Sequence, residues 1–155
     1  MKTNLENTTV KDISYFINSA CLKAPNHTPL EKLADMLCSS DRYKVYLENE
    51  EGQLTGVIQA KQIAMKVLEL SRQKADEEDM LPAITFALNA QTGKDLAEIP
   101  VTVGGEARLK TVLELMEQNQ IREIAVVDAN GGLVGTLEAK NILSHYLQAK
   151  AETAL

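Results

Sequence analysis

The apolar positions between Ile121 and Leu147 change period part-way along, and the change predicts strand, turn, strand, helix. Ile124, Val126 and Val127 are apolar and β-branched, as a buried strand requires. Asp128 to Gly132 reads as a turn, because Asn130 and Gly131 tolerate positive φ. Leu133 to Leu137 is the returning strand. Ile142, Leu143, Tyr146 and Leu147 then recur at helical spacing.

The same pattern occurs 79 residues earlier. Gly52, Leu54 and Gly56 fall on Gly131, Leu133 and Gly135; Ala60 and Lys61 fall on Ala139 and Lys140. Leu22–Leu68 aligns without a gap on Val101–Leu147 with eight identities, and seven of them lie within Gly52–Leu68. Clustering on turn glycines and core positions marks a true repeat, so the chain carries two copies of one small unit. Lys94-Asp95-Leu96 echoes Lys11-Asp12-Ile13 at an offset of 83, a four-residue length difference ahead of the first strand.

The rest of the chain fits this frame. Asp12 is the expected N-cap of a short turn containing Tyr15 and Phe16, and Ala20 to Lys23 is the expected first strand, stopped by Pro25. Thr28, Pro29 and Glu31 predict a capped helix start. Leu30, Leu33, Ala34, Leu37 and Cys38 continue it as one buried stripe, which makes Cys38 a small core residue. In the second copy Ala107 replaces Thr28, so that helix takes its cap elsewhere, with Gly105 the candidate. Lys61 to Gln73 is helical. The charged run at 75–79 reads as linker, and Met80–Leu88 as a short helix ended by Gly93. Residues 149–155 read as a frayed end or an extension of the last helix. The expected organisation is residues 11–72 as repeat one, 73–93 as a linker with a short helix, and 94–148 as repeat two.

Composition narrows the function classes. The 155 residues suffice for one substantial core or two small ones. A net charge of −6 disfavours non-specific binding to nucleic acid or anionic lipid. With no Trp and only four Tyr and two Phe, the chain has little to stack on bases or sugars. Neither a signal-type apolar segment nor a membrane-length run occurs, so the expected location is the cytoplasm. Cys21 and Cys38 sit at no metal spacing and make a poor disulfide pair in that compartment. His27 and His145 have no nucleophile or carboxylate at a recognisable spacing, so no catalytic or metal residue is assigned and an enzyme is not expected.

The sequence Ile124-Ala-Val-Val-Asp128, Gly131, Leu133 and Gly135, with its weaker first copy at Val45–Gly56, resembles the CBS domain (cystathionine β-synthase domain). Two in tandem make a Bateman module, and the resemblance runs from about Lys11 to Leu147. It implies an α/β (α+β) fold of two β-α-β-β-α repeats packed about a pseudo-twofold axis. It further implies a stand-alone regulatory module and a homodimer that acts on an effector protein. No required cofactor is implied; the ligand type implied is an adenine nucleotide or S-adenosylmethionine, held in a cleft between repeats.

Nucleotide-binding members of that family carry Gly, two apolar residues, Thr or Ser, two more residues and Asp after the second strand of the unit. Here the first copy reads Gly56-Val-Ile-Gln59-Ala-Lys61-Gln62 and the second Gly135-Thr-Leu-Glu138-Ala-Lys140-Asn141. Both hydroxyls and both Asp residues are absent. Candidate ligand residues are Gln59, Lys61 and Gln62 in the first copy, and Glu138, Lys140 and Asn141 in the second. Glu138 puts negative charge where the family places phosphate or ribose, a repulsion of about 4 kcal/mol at close range. The first copy is therefore the better candidate. Two readings stand: a sensor of an adenosyl-type molecule, or an interaction module whose ligand site has decayed. For Gln59, Gln62, Glu138 and Asn141 a plain role as solvated residues leading into a helix competes with ligand binding; it outweighs binding at Glu138 and stands level with it at Gln59 and Gln62.

Overall fold

The computed structural model describes residues 5–76 and 78–153. Elements follow in chain order. A 3-10 helix at Lys11–Phe16 precedes β1 (Leu22–Pro25), α1 (Leu30–Cys38), β2 (Lys44–Glu48), β3 (Leu54–Gln59) and α2 (Ala60–Gln73). Next come α3 (Met80–Ala90), α4 (Gly93–Leu96) and β4 (Thr102–Val103). The chain closes with α5 (Leu109–Asn119), β5 (Glu123–Val127), β6 (Leu133–Glu138) and α6 (Ala139–Thr153). This is a mixed α+β fold with two small sheets, as the sequence led us to expect. Glu77, in the charged run at 75–79, lies outside the described residues, as do residues 154–155 of the expected helix extension.

The two sheets are built alike. Their orders are β1-β2-β3 and β4-β5-β6. In each, the first pair is parallel and the second antiparallel. Each hairpin carries a register shift at the same place, between Leu47 and Glu48 in one and Val126 and Val127 in the other. The turns match too. Asn49 Oδ1 accepts from the Glu51 and Gln53 amides at 3.0 and 2.9 Å. Asp128 Oδ1 accepts from the Asn130 and Gly132 amides, both at 2.9 Å. An amide oxygen thus does in the first copy what a carboxylate does in the second. Gly52 and Gly131 take φ of +78° and +85°, which an L side chain rarely adopts.

Two compact units result, and they divide the chain at other points than the sequence repeats do. One comprises Cys21–Pro100; the other joins the described residues up to Ala20 to those from Val101 onward. Residues 11–20 thus pack in the unit of the second repeat, and α3 packs in that of the first. The reason is backbone pairing. The Asn18 amide donates to Thr136 O at 2.9 Å and the Thr136 amide to Asn18 O at 3.0 Å. Val57 and Glu98 exchange the same two bonds at 2.9 and 3.0 Å. Each unit's last strand is therefore lined by the segment that precedes the other repeat in sequence.

The same segments cap the first helix of each unit. The Leu30 amide donates to Gln91 O at 3.0 Å, and the Leu109 amide to Thr8 O at 2.9 Å. Thr28 does not cap α1; its hydroxyl donates to Pro25 O at 2.7 Å. Nor does Gly105 cap α5, since its carbonyl accepts from the Lys11 amide. Asp12 is not an N-cap either: it stands three residues after Thr9 and accepts from the Thr9 amide at 2.9 Å.

Each unit has its own core. Leu30, Leu33, Val45, Leu47 and Ile58 are fully buried in one, joined by Ile84 and Leu88 of α3. Val10, Ile13, Leu109, Val112 and Leu137 are fully buried in the other. Gly93 does not end α3 but opens α4, buried against Leu47 and Leu33. Cys38 is exposed, not core. At 100° per residue it falls about 80° around the helix from Leu30, at the edge of the stripe. No helix among the described residues is long and apolar enough to cross a membrane.

Candidate ligand groove

The site starts from the way α2 begins. Gln59 is extended, with φ −101° and ψ 151°, and Ala60 opens the helix. A helix start leaves amides without intrahelical acceptors. Gln62, on the first turn, reaches back so that its Oε1 accepts from the Gln59 amide at 2.7 Å. Its Nε2 donates to Leu96 O at 3.2 Å and to Glu98 Oε1 at 3.4 Å. Gln62 therefore ties α2 to the segment formed by α4 and the residues just after it.

That segment is itself held in place. The Thr92 amide and hydroxyl donate to Asp95 Oδ2 at 2.8 and 3.1 Å. The hydrogen bond from the Thr92 backbone is the main reason the Asp95 carboxyl lies below its ordinary value. Asp12 is depressed in the same way, first of all by the Thr9 backbone amide. Glu98 is then fixed by its paired backbone bonds to Val57.

Between α2 and this segment runs an open groove of about 490 Å³. Gln59, Lys61, Gln62, Met65, Lys66, Glu69, Leu96 and Glu98 line it. Lys66 is largely buried and pairs with Glu69 at 3.5 Å. Lys61 is exposed and has no ion pair or hydrogen bond among the described residues. The three first-copy candidates thus share one groove. Met65, Lys66, Glu69, Leu96 and Glu98 were not singled out in the sequence. Lys66 and Glu69 follow Gln62 at four and seven residues, a helical spacing that puts them on its face. Glu98 follows the Lys94-Asp95-Leu96 echo, which gave the only sequence clue to its place.

The second-copy candidates sit differently. Asn141 Oδ1 accepts from the Glu138 amide at 2.8 Å, the same helix-start bond that Gln62 makes. Lys140 pairs with Glu138 at 3.5 Å. Gln148 corresponds to Glu69 at the 79 offset, and Tyr15 to Glu98 at the 83 offset. The Tyr15 hydroxyl donates to Gln148 Oε1 at 3.5 Å. Side chains that border an open groove in one unit are thus bonded to each other in the other unit.

A smaller cavity of about 240 Å³ lies at the ends of β1 and β2, lined by Lys23, His27, Glu48 and Glu50 among others. Its lysine is already 3.9 Å from Glu48. Chemically, the α2 groove offers an unpaired ammonium, two carboxylates and an apolar wall from Met65 and Leu96. It suits a small molecule with an anionic end and hydrogen-bond donors.

Comparison with known proteins follows the same lines. Residues 94–148 match the CBS domain family. Comparison with curated protein sequences finds no match. Among solved structures, a CBS domain-containing protein from Bacillus anthracis is similar at 17% identity and a TM-score of 0.70, over 93% of this chain and 96% of that one. CBSX2, solved in complex with AMP, is similar at 22% identity and a TM-score of 0.65, over 93% of this chain and 99% of its own. The CBS domain of a bacterial CNNM/CorC family Mg2+ transporter, solved in complex with ATP, is similar at 20% identity and a TM-score of 0.64, over 90% and 87%. At such identities the structural likeness establishes the fold. Residues 94–148 thus match the CBS domain, and the chain as a whole takes the fold of a CBS-domain pair.

Proposed function

We propose that this protein is a non-catalytic regulatory module that takes an adenine nucleotide in the groove at the start of α2 and signals to an effector protein. The observation that carries the reading is Lys61. It borders the groove with no counter-ion among the described residues, whereas Lys140 is paired with Glu138. An unpaired ammonium beside an apolar wall is the natural seat for a phosphate. The complexes of CBSX2 with AMP and of the transporter domain with ATP support the ligand class. An adenine-nucleotide sensor works where those nucleotides are held, which makes the cytoplasm its proposed setting.

A second reading is an interaction module with a decayed ligand site. One observation favours it: the Gln62 oxygen, at the position of the family's Asp, is committed to the Gln59 amide. In either reading we propose a homodimer. On α6, Leu143, Tyr146 and Leu147 are each more than half exposed, an apolar strip suited to a second copy. Sedimentation as a monomer at tens of micromolar would contradict the dimer.

A thermal-shift panel of AMP, ADP, ATP, adenosine and S-adenosylmethionine decides between the readings. Binding to the native state alone should stabilise by about 2.7 kcal/mol at a hundredfold excess over Kd. A shift with AMP, ADP or ATP supports the sensor. A shift with adenosine or S-adenosylmethionine alone removes the phosphate from the argument. No shift with any of them supports the interaction module.

A further inference from the structure

We infer that Glu98 is the specificity-determining residue of the α2 groove, selecting ligands that present hydroxyl donors beside their anionic end. The inference rests on the groove being a ligand site. Position 62, at the first turn of α2, holds an amide whose oxygen is used by the Gln59 amide. What acceptor capacity that oxygen keeps is one lone pair of a neutral amide, weaker than a carboxylate. The NH2 group of Gln62, however, holds a carboxylate from a different element, Glu98 Oε1, at 3.4 Å. The groove thus gains an anionic acceptor that the α2 sequence lacks.

That acceptor is placed by backbone. Glu98 exchanges two bonds with Val57, so its position follows from strand pairing and survives a change of its side chain. Gln62 uses only part of the carboxylate's acceptor capacity, since two oxygens offer about four lone-pair sites. Glu98 is exposed, and the remaining sites are open to donors from a ligand. Lys61 forms no ion pair with Glu98, so the two opposite charges stay separate. A bare anion would satisfy Lys61 and be repelled by Glu98, since Glu69 is paired with Lys66. A ligand with an anionic group at Lys61 and hydroxyls at Glu98 satisfies both, and a ribonucleotide has that chemistry. Gln62 acts as the positioning residue.

The test is calorimetric titration of AMP and of deoxyadenosine monophosphate into the wild type and Glu98→Gln. The wild type should prefer AMP by about tenfold, the worth of one hydrogen bond to a charged group. Glu98→Gln should melt like the wild type and lose most of that preference. Equal preference in the variant and the wild type overturns the role of Glu98 while leaving the groove as a ligand site. No binding of AMP to the wild type overturns the ligand-site reading and this inference with it. As a control on folding, Glu98→Asp keeps the charge and should keep part of the preference.

Discussion

Gln62 Nε2 donates to the carbonyl oxygen of Leu96 at 3.2 Å, across 34 residues of sequence. One side chain thereby closes the start of α2 and anchors the segment that lines β3. Gln62→Ala should lower stability by about 1–2 kcal/mol, the range for a lost cap and a part-buried carbonyl left without its donor. Chemical denaturation reads this directly. An unchanged midpoint would mean that water replaces the side chain without loss.

Much of the fold was legible in the sequence, for local reasons. Strands, turns and helices followed from alternation, from Asn49 and Asp128 before their glycines, and from i, i+4 apolar spacing. Which unit residues 11–20 and 80–100 join was not legible. Those segments are tied in largely by backbone bonds such as Asn18 to Thr136, which any residue type can make. Nor was the burial of the apolar residues on α2 and α6 legible. Ile63 and Ile142 are buried in their own cores at 3% exposure, while Val67 and Tyr146 are exposed at 36% and 56%. Periodicity finds an apolar face without saying what covers it. At the candidate site, position 62 was legible, but Glu98 was not, because its place comes from pairing with a strand about 40 residues away.

Gly135 illustrates how tightly that backbone pairing is packed. A Cβ there would lie 2.5 Å from Asn18 O and 2.7 Å from Ile17 Cγ2. At Gly56 the nearest atom is the Ala97 Cβ at 3.0 Å. Gly135→Ala should therefore cost more than Gly56→Ala, at least about 2 kcal/mol for overpacking against main chain. Urea midpoints of the two variants give the order, and the reverse order would contradict the packing described.

Acid should weaken the two Thr-to-Asp turns. Both Asp12 and Asp95 carry carboxyls held below the ordinary 3.8, chiefly by backbone hydrogen bonds from Thr9 and Thr92. Because the folded value is the lower one, their stabilisation is complete above the unfolded value. It is lost as pH falls through the folded value. The double variant Asp12→Asn, Asp95→Asn should lose less stability than the wild type on acidification below pH about 4. Parallel pH profiles would contradict it.

His145 lies on α6 with both ring nitrogens buried and without a hydrogen-bond partner among the described residues. Leaving such atoms unsatisfied costs more than an apolar side chain in the same space. His145→Leu should raise stability by about 1 kcal/mol, measured by thermal or urea unfolding. A loss of that size would show that the imidazole has a bonded role.

The central claim is that the groove of the Cys21–Pro100 unit binds the nucleotide and the corresponding positions of the other unit do not. Isothermal titration of AMP into Lys61→Met and Lys140→Met tests it most directly. The account predicts about tenfold weaker binding in Lys61→Met, from loss of one charge-assisted contact, and wild-type affinity in Lys140→Met. Weakened binding in Lys140→Met with Lys61→Met unaffected would contradict it.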